Sequence, residues 1–413
     1  MDFNKILVIW LFVIVSITEK GKKPLSIEIP MPNSGIFLIL KNHVSLFSAK
    51  SETCKTSPIR SLINQNPNKE CIFPFTFEGT KYTKCSDIRA GDSFLSNICA
   101  TETEGENNEI VDYGVCSDDC DKYGILVAGG YSPTIFNSFE VLSSEPALTN
   151  TKLARLPKGI LHQPSLFLHG NDILLCGGYR NRNKCLMHEN DSWKVHSYLK
   201  KKRVLASAVT TANGTFIFGG RDSEDTFEFL GKNSMIWQLR RTKIPNRFWR
   251  GCAVEVSEKQ EILLIGGALT YTRILKFDIK TQTFDVLNVS LLKERLNHAC
   301  ARLPGTNLIV IAGGYDADYN IQDTSEILNL DDNRITLGNP MTTKRAGHGM
   351  AVITIDKEDR LAVFGGANGN DWLDSVETLN PTTRKWEVSN MKLKGAKYGS
   401  GYTSQPNYFI SNL

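Results

Sequence analysis

The sequence predicts an all-β chain in which a ring of six sheet-like units follows a small disulfide-rich module. Three observations predict it. A Gly pair recurs six times from residue 129 onward, each time after an apolar run. Turn residues, rather than amphipathic helical periods, separate these runs. Six of the ten Cys crowd into residues 54–120. The chain has 413 residues, with 41% hydrophobic and 22% charged content, so it is an ordinary globular composition long enough for two or three domains. A net charge of +4 is too small to imply a nucleic-acid partner, so any basic function is local.

The first element, 1–20, reads as a secretory signal peptide. Lys5 precedes an unbroken apolar run from Ile6 to Val15. That run is too short for a bilayer core of ~30 Å but suits a signal h-region. Residues 21–53 read as a linker. The expected product is secreted, extracellular and without a stable membrane span. Sequons at Asn190, Asn213 and Asn288 are candidate glycosylation sites.

The second element, 54–120, carries Cys54, Cys71, Cys85, Cys99, Cys116 and Cys120. Such density in a segment too small for a large core marks a disulfide scaffold, and spacing alone leaves the pairing open. Within it, "CIFPFTFEGTKYTKC" (71–85) places Pro74, Phe75 and Phe77 between two Cys, and "DYGVC" ends at Cys116. This resembles a fibronectin type II (kringle-like) module, with Ile98 standing where that family has Trp. The resemblance implies the pairs Cys71–Cys99 and Cys85–Cys116, with Cys54–Cys120 tying the ends. It also implies a shallow aromatic pocket for collagen-like peptides or choline lipids, drawn from Phe73, Phe75, Phe77, Tyr82, Phe94 and Tyr113. The same aromatics suit filling a small core.

The third element, 121–413, is the repeat. The Gly pairs are 129–130, 177–178, 219–220, 266–267, 313–314 and 365–366. Upstream lies R-x-x-[HR] or a relic of it, as in Arg295 with His298, Arg345 with His348, and Arg247 with Arg250. Downstream comes a Glu-bearing strand (Glu140, Glu326, Glu377), closed by Trp193, Trp237, Phe284, Ile335 or Trp386. Each unit reads as four short strands that cannot bury their faces alone, so the units must pack as an array. Gly accepts φ > 0 and lets a second backbone come close, whereas a phosphate loop would open a helix. The pattern resembles the kelch repeat across 121–413, and the resemblance implies a six-bladed kelch-type β-propeller. The first unit begins at its second strand, so the C-terminal stretch Tyr398–Thr403 is expected to supply its innermost strand. The final "NYFISNL" has no place in this scheme.

Catalytic signals are sparse. His162, His298 and His348 fall at similar places in the repeat, which argues for a structural role. No HExxH, CxxC or Gly-x-Ser-x-Gly occurs, and no cofactor or metal is expected. The enzymatic alternative is an extracellular propeller enzyme such as a copper-dependent carbohydrate oxidase, which needs a Tyr–Cys crosslink and His ligands. Cys252 and Cys300 recur at similar places and read as buried packing. Cys176 and Cys185 flank a hairpin loop and are a candidate disulfide.

Loops after the second and fourth strands of a blade emerge on one face. Arg180, Arg182, Lys200, Lys201, Lys202, Arg203, Arg221, Arg240, Arg241 and Lys243 therefore form a basic sector as candidate binding residues. The equivalent loops of the fifth and sixth units carry Asp316, Asp318, Tyr319, Asp371 and Trp372. The expected function is that of a secreted, non-enzymatic recognition or adhesion protein. Its ligands would be extracellular-matrix or cell-surface proteins or sulfated glycans, and not nucleic acid.

Overall fold

The computed structural model describes the strand backbone of 36–40 and 43–47, most of 69–115 and, short loop segments aside, 122–406. The expected signal peptide, Cys54, Cys85, Cys116, Cys120 and the last seven residues lie outside the described residues. The chain divides into two compact units, Met1–Glu52 and Thr53–Leu413. In the first, Ile36–Leu40 and His43–Phe47 pair as an antiparallel hairpin within the stretch read as a linker.

The second unit opens with a five-stranded sheet. Its spatial order is Thr80–Tyr82, Phe75–Phe77, Glu109–Val115, Ser93–Glu104, Ser86–Ala90. Cys71 is bonded to Cys99 across a Cα separation of 5.4 Å, and both are buried beside Ile98.

Five four-stranded antiparallel sheets and one three-stranded sheet follow. Blade 1 joins Gly401–Pro406, Tyr123–Ala128 and Phe139–Leu142. Blade 2 runs from Ser165–His169 through Asp172–Cys176 and Lys184–Glu189 to Ser192–Tyr198. Blades 3 to 6 begin with the innermost strands Ser207–Thr211, Cys252–Val256, Ala299–Arg302 and Gly349–Ile355. Each innermost strand neighbours the next, and that of blade 6 returns to that of blade 1. The chain closes its own ring, because Gly401 pairs with Ala128 and Pro406 with Tyr123. That pairing removes two exposed edges.

Burial explains the apolar runs before the Gly pairs. The second strand of each blade is covered on both faces by neighbouring blades; Gly214–Phe218 is buried at every position. Outer strands are covered on one face only, and Trp386–Lys392 is largely exposed after Trp386. Blade 1 differs from the four-strand expectation, since among the described residues it has no outer strand. The short helix Pro146–Thr149 and the segment after it cover that side instead, with Leu148 and Leu156 packed on Phe139 and Val141.

The Gly pair has a defined task at the seam between blades. Both glycines are left-handed; Gly219 has φ 59° and Gly220 has φ 91°. A Cβ on Gly219 would lie 1.8 Å from the Phe248 carbonyl oxygen of the next blade. The Gly220 amide donates to that same oxygen at 2.9 Å. Gly178, Gly267, Gly314 and Gly366 donate in the same way to Arg203, Arg295, Arg345 and Lys397. Only Gly allows this approach and this conformation together.

Candidate binding face and central channel

A ring of backbone hydrogen bonds encircles the mouth of the central channel. Gln163 donates to Gly399, Gly399 to Gly347, Gly347 to Asn297, Asn297 to Arg250, Arg250 to Leu205 and Leu205 back to Gln163, at 2.7 to 3.4 Å. All six residues are left-handed, with φ between 53° and 65°. The ring fixes the true register of the repeat. Two residues before five of the six ring members stands the residue whose carbonyl meets the Gly pair: Arg203, Phe248, Arg295, Arg345 and Lys397.

This register corrects three expectations. Arg203 does not belong to the basic surface. It is 1% exposed, and its guanidinium bonds Glu228 at 3.0 Å and the carbonyls of Gly219 and Thr226 at 2.6 and 2.9 Å. Arg295 with Glu326 and Arg345 with Glu377 repeat the arrangement at 2.9 Å, and Lys397 with Glu140 completes it in blade 1. Burial lowers the pKa of all three arginines, and the partner carboxylates oppose it. Second, Arg247 is exposed and Phe248 holds the motif position, so the Arg247/Arg250 alignment is one residue out of register. Third, Gln163 aligns with Asn297, which makes Pro164 the counterpart of His298. His162, which lies outside the described residues, therefore aligns elsewhere.

Two of the cysteines also differ from the reading. Cys252 and Cys300 are bonded to each other across blades 4 and 5, with Cα atoms 5.9 Å apart. They lie two and three residues after their ring members, on adjacent innermost strands, which brings their sulfurs within reach. Neither sulfur is placed for a tyrosine crosslink. Cys176 and Cys185 face each other directly in register and are bonded, with Cα atoms 4.1 Å apart and both buried. Among the described residues no group of three or more His, Cys, Asp and Glu is placed to hold a metal.

His298 and His348 follow the ring residues and are 6% and 5% exposed. Burial, and then the nearby Arg295 and Arg345 respectively, hold both imidazoles down at about 3, so both are neutral in the fold. The unfolded chain titrates them near 6.5, so between these values it binds more protons than the folded one. Their stabilising contribution is complete above 6.5 and is lost as pH falls below it. At pH 5.5 the loss is about 1.4 kcal/mol for each imidazole. Glu255 acts in the opposite sense. Burial, then Glu258, raises it to about 7, so its contribution grows as pH falls from there towards 4.5. In an E255Q background, these two imidazoles are expected to contribute roughly 3 kcal/mol to the stability lost between pH 7.5 and 5.5 in urea denaturation. Adding H298A and H348S, the residues that Ala206 and Ser400 supply at this place in other blades, should flatten that slope. An unchanged slope would contradict the assignment.

The remaining cations lie on the loops of blades 2 to 4. Arg182 pairs with Asp222 at 2.7 Å and Lys243 with Asp225 at 2.8 Å, both exposed. The Arg240 guanidinium lies 5.0 Å from the Phe229 ring centroid. Arg180, Lys200, Lys201, Lys202, Arg221 and Arg241 are exposed and make no ion pair among the described residues. The amides of Lys200 and Lys201 donate to Glu228 at 2.6 and 3.0 Å, so the backbone under this run is fixed. On the far side of the face, Trp372 meets Tyr131 edge-on at 4.4 Å, and Tyr319 is 61% exposed. Asp316 is engaged in its own loop, accepting from the amides of Asp318 and Asn320.

Sequence reasoning missed the channel mouth. Asn297 donates from Nδ2 to the Tyr398 hydroxyl at 2.5 Å, and the Arg250 guanidinium lies 4.7 Å from the Trp249 ring centroid. Burial, then Tyr315, raises the Tyr398 phenol, which stays protonated. The available signal was position: each of these residues stands at or beside a ring member, whose identity varies from blade to blade. Asn190, Asn213 and Asn288 are all exposed.

No family model matches the chain. Among curated proteins it is 25% identical over 207 residues to a RING finger domain and kelch repeat-containing protein of Dictyostelium discoideum, covering 49% of this chain and 20% of that one. It is 31% identical over 136 residues to kelch-like protein 36 of Rattus norvegicus, and 30% identical to that of Mus musculus. Those matches cover 31% of this chain and 21% of each relative. The chain thus spans about a fifth of the length of the curated relatives it matches. Repeat similarity and fold together support a kelch β-propeller. Among the described residues, no helix is long and apolar enough to cross a membrane.

Proposed function

We propose that this chain is a non-enzymatic recognition protein whose six-bladed kelch propeller binds an acidic partner through the basic sector of its loop face. The observation that carries the reading is the group of six exposed cations on adjacent loops of blades 2 to 4, mounted on a fixed backbone and without carboxylate partners among the described residues. Kelch-repeat relatives favour a protein partner over a small substrate. Export to an oxidising compartment is supported by three disulfides and by three exposed sequons. The fibronectin type II-like module would then offer a second contact surface to matrix or cell-surface ligands.

Exposed charges act through screened attraction, so binding should weaken steeply with salt. A polyglutamate peptide and heparin serve as probes, to separate an acidic protein segment from a sulfated glycan. Reversing Lys200, Lys201 and Lys202 to Glu is expected to weaken binding by about tenfold or more, at roughly 0.2–1 kcal/mol per exposed contact. Binding that ignores both salt and this triple variant would overturn the proposal.

A further inference from the structure

The central channel holds a cavity of about 230 Å³ bounded by all six ring residues and by His298 and His348. Its electrostatics are one-sided. Among the described residues, Arg250 is its single permanent cation, and no Asp or Glu lines it. Two buried polar atoms in it have no hydrogen-bond partner among the described residues: Arg250 Nε and Asn297 Oδ1. The imidazoles instead turn to backbone carbonyls, His298 to those of Ile265 and Arg295 and His348 to that of Ala312. Asn297 is only 7% exposed. Buried polar groups are normally satisfied, and such a concentration in one cavity calls for an occupant.

We infer that this channel mouth binds a small oxyanion, a carboxylate or phosphate, on Arg250 and Asn297. Water satisfies the amide but leaves the guanidinium charge without a counter-charge; an oxyanion answers both needs. The Asn297 amide suits this after a half-turn about its last bond. Its Oδ1 then accepts from the Tyr398 hydroxyl, and Nδ2 is free to donate to the ligand. The Trp249 ring, stacked on the guanidinium, holds its orientation. The site is separate from the basic loops, and it takes a free small acid rather than a chain.

The test is thermal melting of the full chain titrated with sodium phosphate or sodium acetate, at ionic strength held constant with chloride. A saturable rise in Tm with either oxyanion, absent in chloride alone, is expected. Arg250→Met should weaken the apparent affinity by about tenfold or more, as loss of a charge-assisted donor does. Asn297→Asp keeps a residue that tolerates the left-handed backbone and sets a carboxylate beside Arg250, so it should abolish the response in a folded protein. The K200E/K201E/K202E variant should respond as the parent does, which separates this site from the loop-face proposal. Equal rises in chloride and oxyanion, or parental responses in both channel variants, would overturn the inference.

Discussion

Replacing Glu326 by Leu is expected to cost about 3–5 kcal/mol, because it leaves the Arg295 guanidinium buried without its counter-charge. Arg295 and Glu326 have fully buried side chains. The carboxylate accepts from Arg295 Nε at 2.9 Å and from the amides of Leu292 and Lys293 at 2.6 and 3.1 Å. Blade 4 shows the apolar solution to the same geometry. There Phe248 stands in the Arg place and Leu275 in the Glu place, packed in one cluster. Pro245 occupies the counterpart of Leu292, so one of the two amides that would need the carboxylate does not exist. The triple variant L292P/R295F/E326L copies that solution and should recover most of the loss, since a buried ion pair replaced whole by fitting apolar groups is often neutral. Urea midpoints at constant m-value measure both effects. A single variant within about 1 kcal/mol of the parent, or a triple no better than the single, would contradict this account.

The same comparison explains what the sequence disclosed and what it hid. The Gly pairs were legible because their task excludes every other residue, as the Phe248 oxygen against Gly219 shows. The apolar runs before them were legible because second strands are covered on both faces. The upstream motif was harder to place. Its anchor is the left-handed ring residue, which joins the ring through its backbone and is therefore free to be Gln, Leu, Arg, Asn, Gly and Gly in turn. Without that anchor, Arg247 matched the pattern one residue early and Arg203 read as part of a basic run. Both are arginines beside other cations; only Glu228, on a strand 25 residues further on, distinguishes the buried one. Channel residues such as Asn297 stayed hidden for the same reason. Their meaning comes from six remote segments meeting at one axis.

Removing the Cys252–Cys300 bond is expected to cost about 4 kcal/mol, the loop-closure value for cysteines 48 residues apart. These cysteines sit on the innermost strands of blades 4 and 5, which form no ladder with each other. That seam is held by apolar packing, the Gly267–Arg295 and Asn297–Arg250 backbone bonds, the Arg302–Glu258 ion pair and this covalent link. The pair Cys176–Cys185 differs, for it spans 9 residues within one blade and joins strands already in register. Its loss should cost about 2.5 kcal/mol on the same model. Cys-to-Ala replacement leaves similar voids at both sites, so the comparison isolates the link itself. Denaturation of C252A/C300A, C176A/C185A and the parent should therefore rank the inter-blade pair as the costlier loss. A reversed order would mean that blades 4 and 5 dock without help. The strand exchange that closes the ring lies at blade 1, opposite blade 4. A propeller with a sound inter-blade link should thus lose its blade 1 closure first on heating, whereas the C252A/C300A chain has two weak seams and should melt less cooperatively.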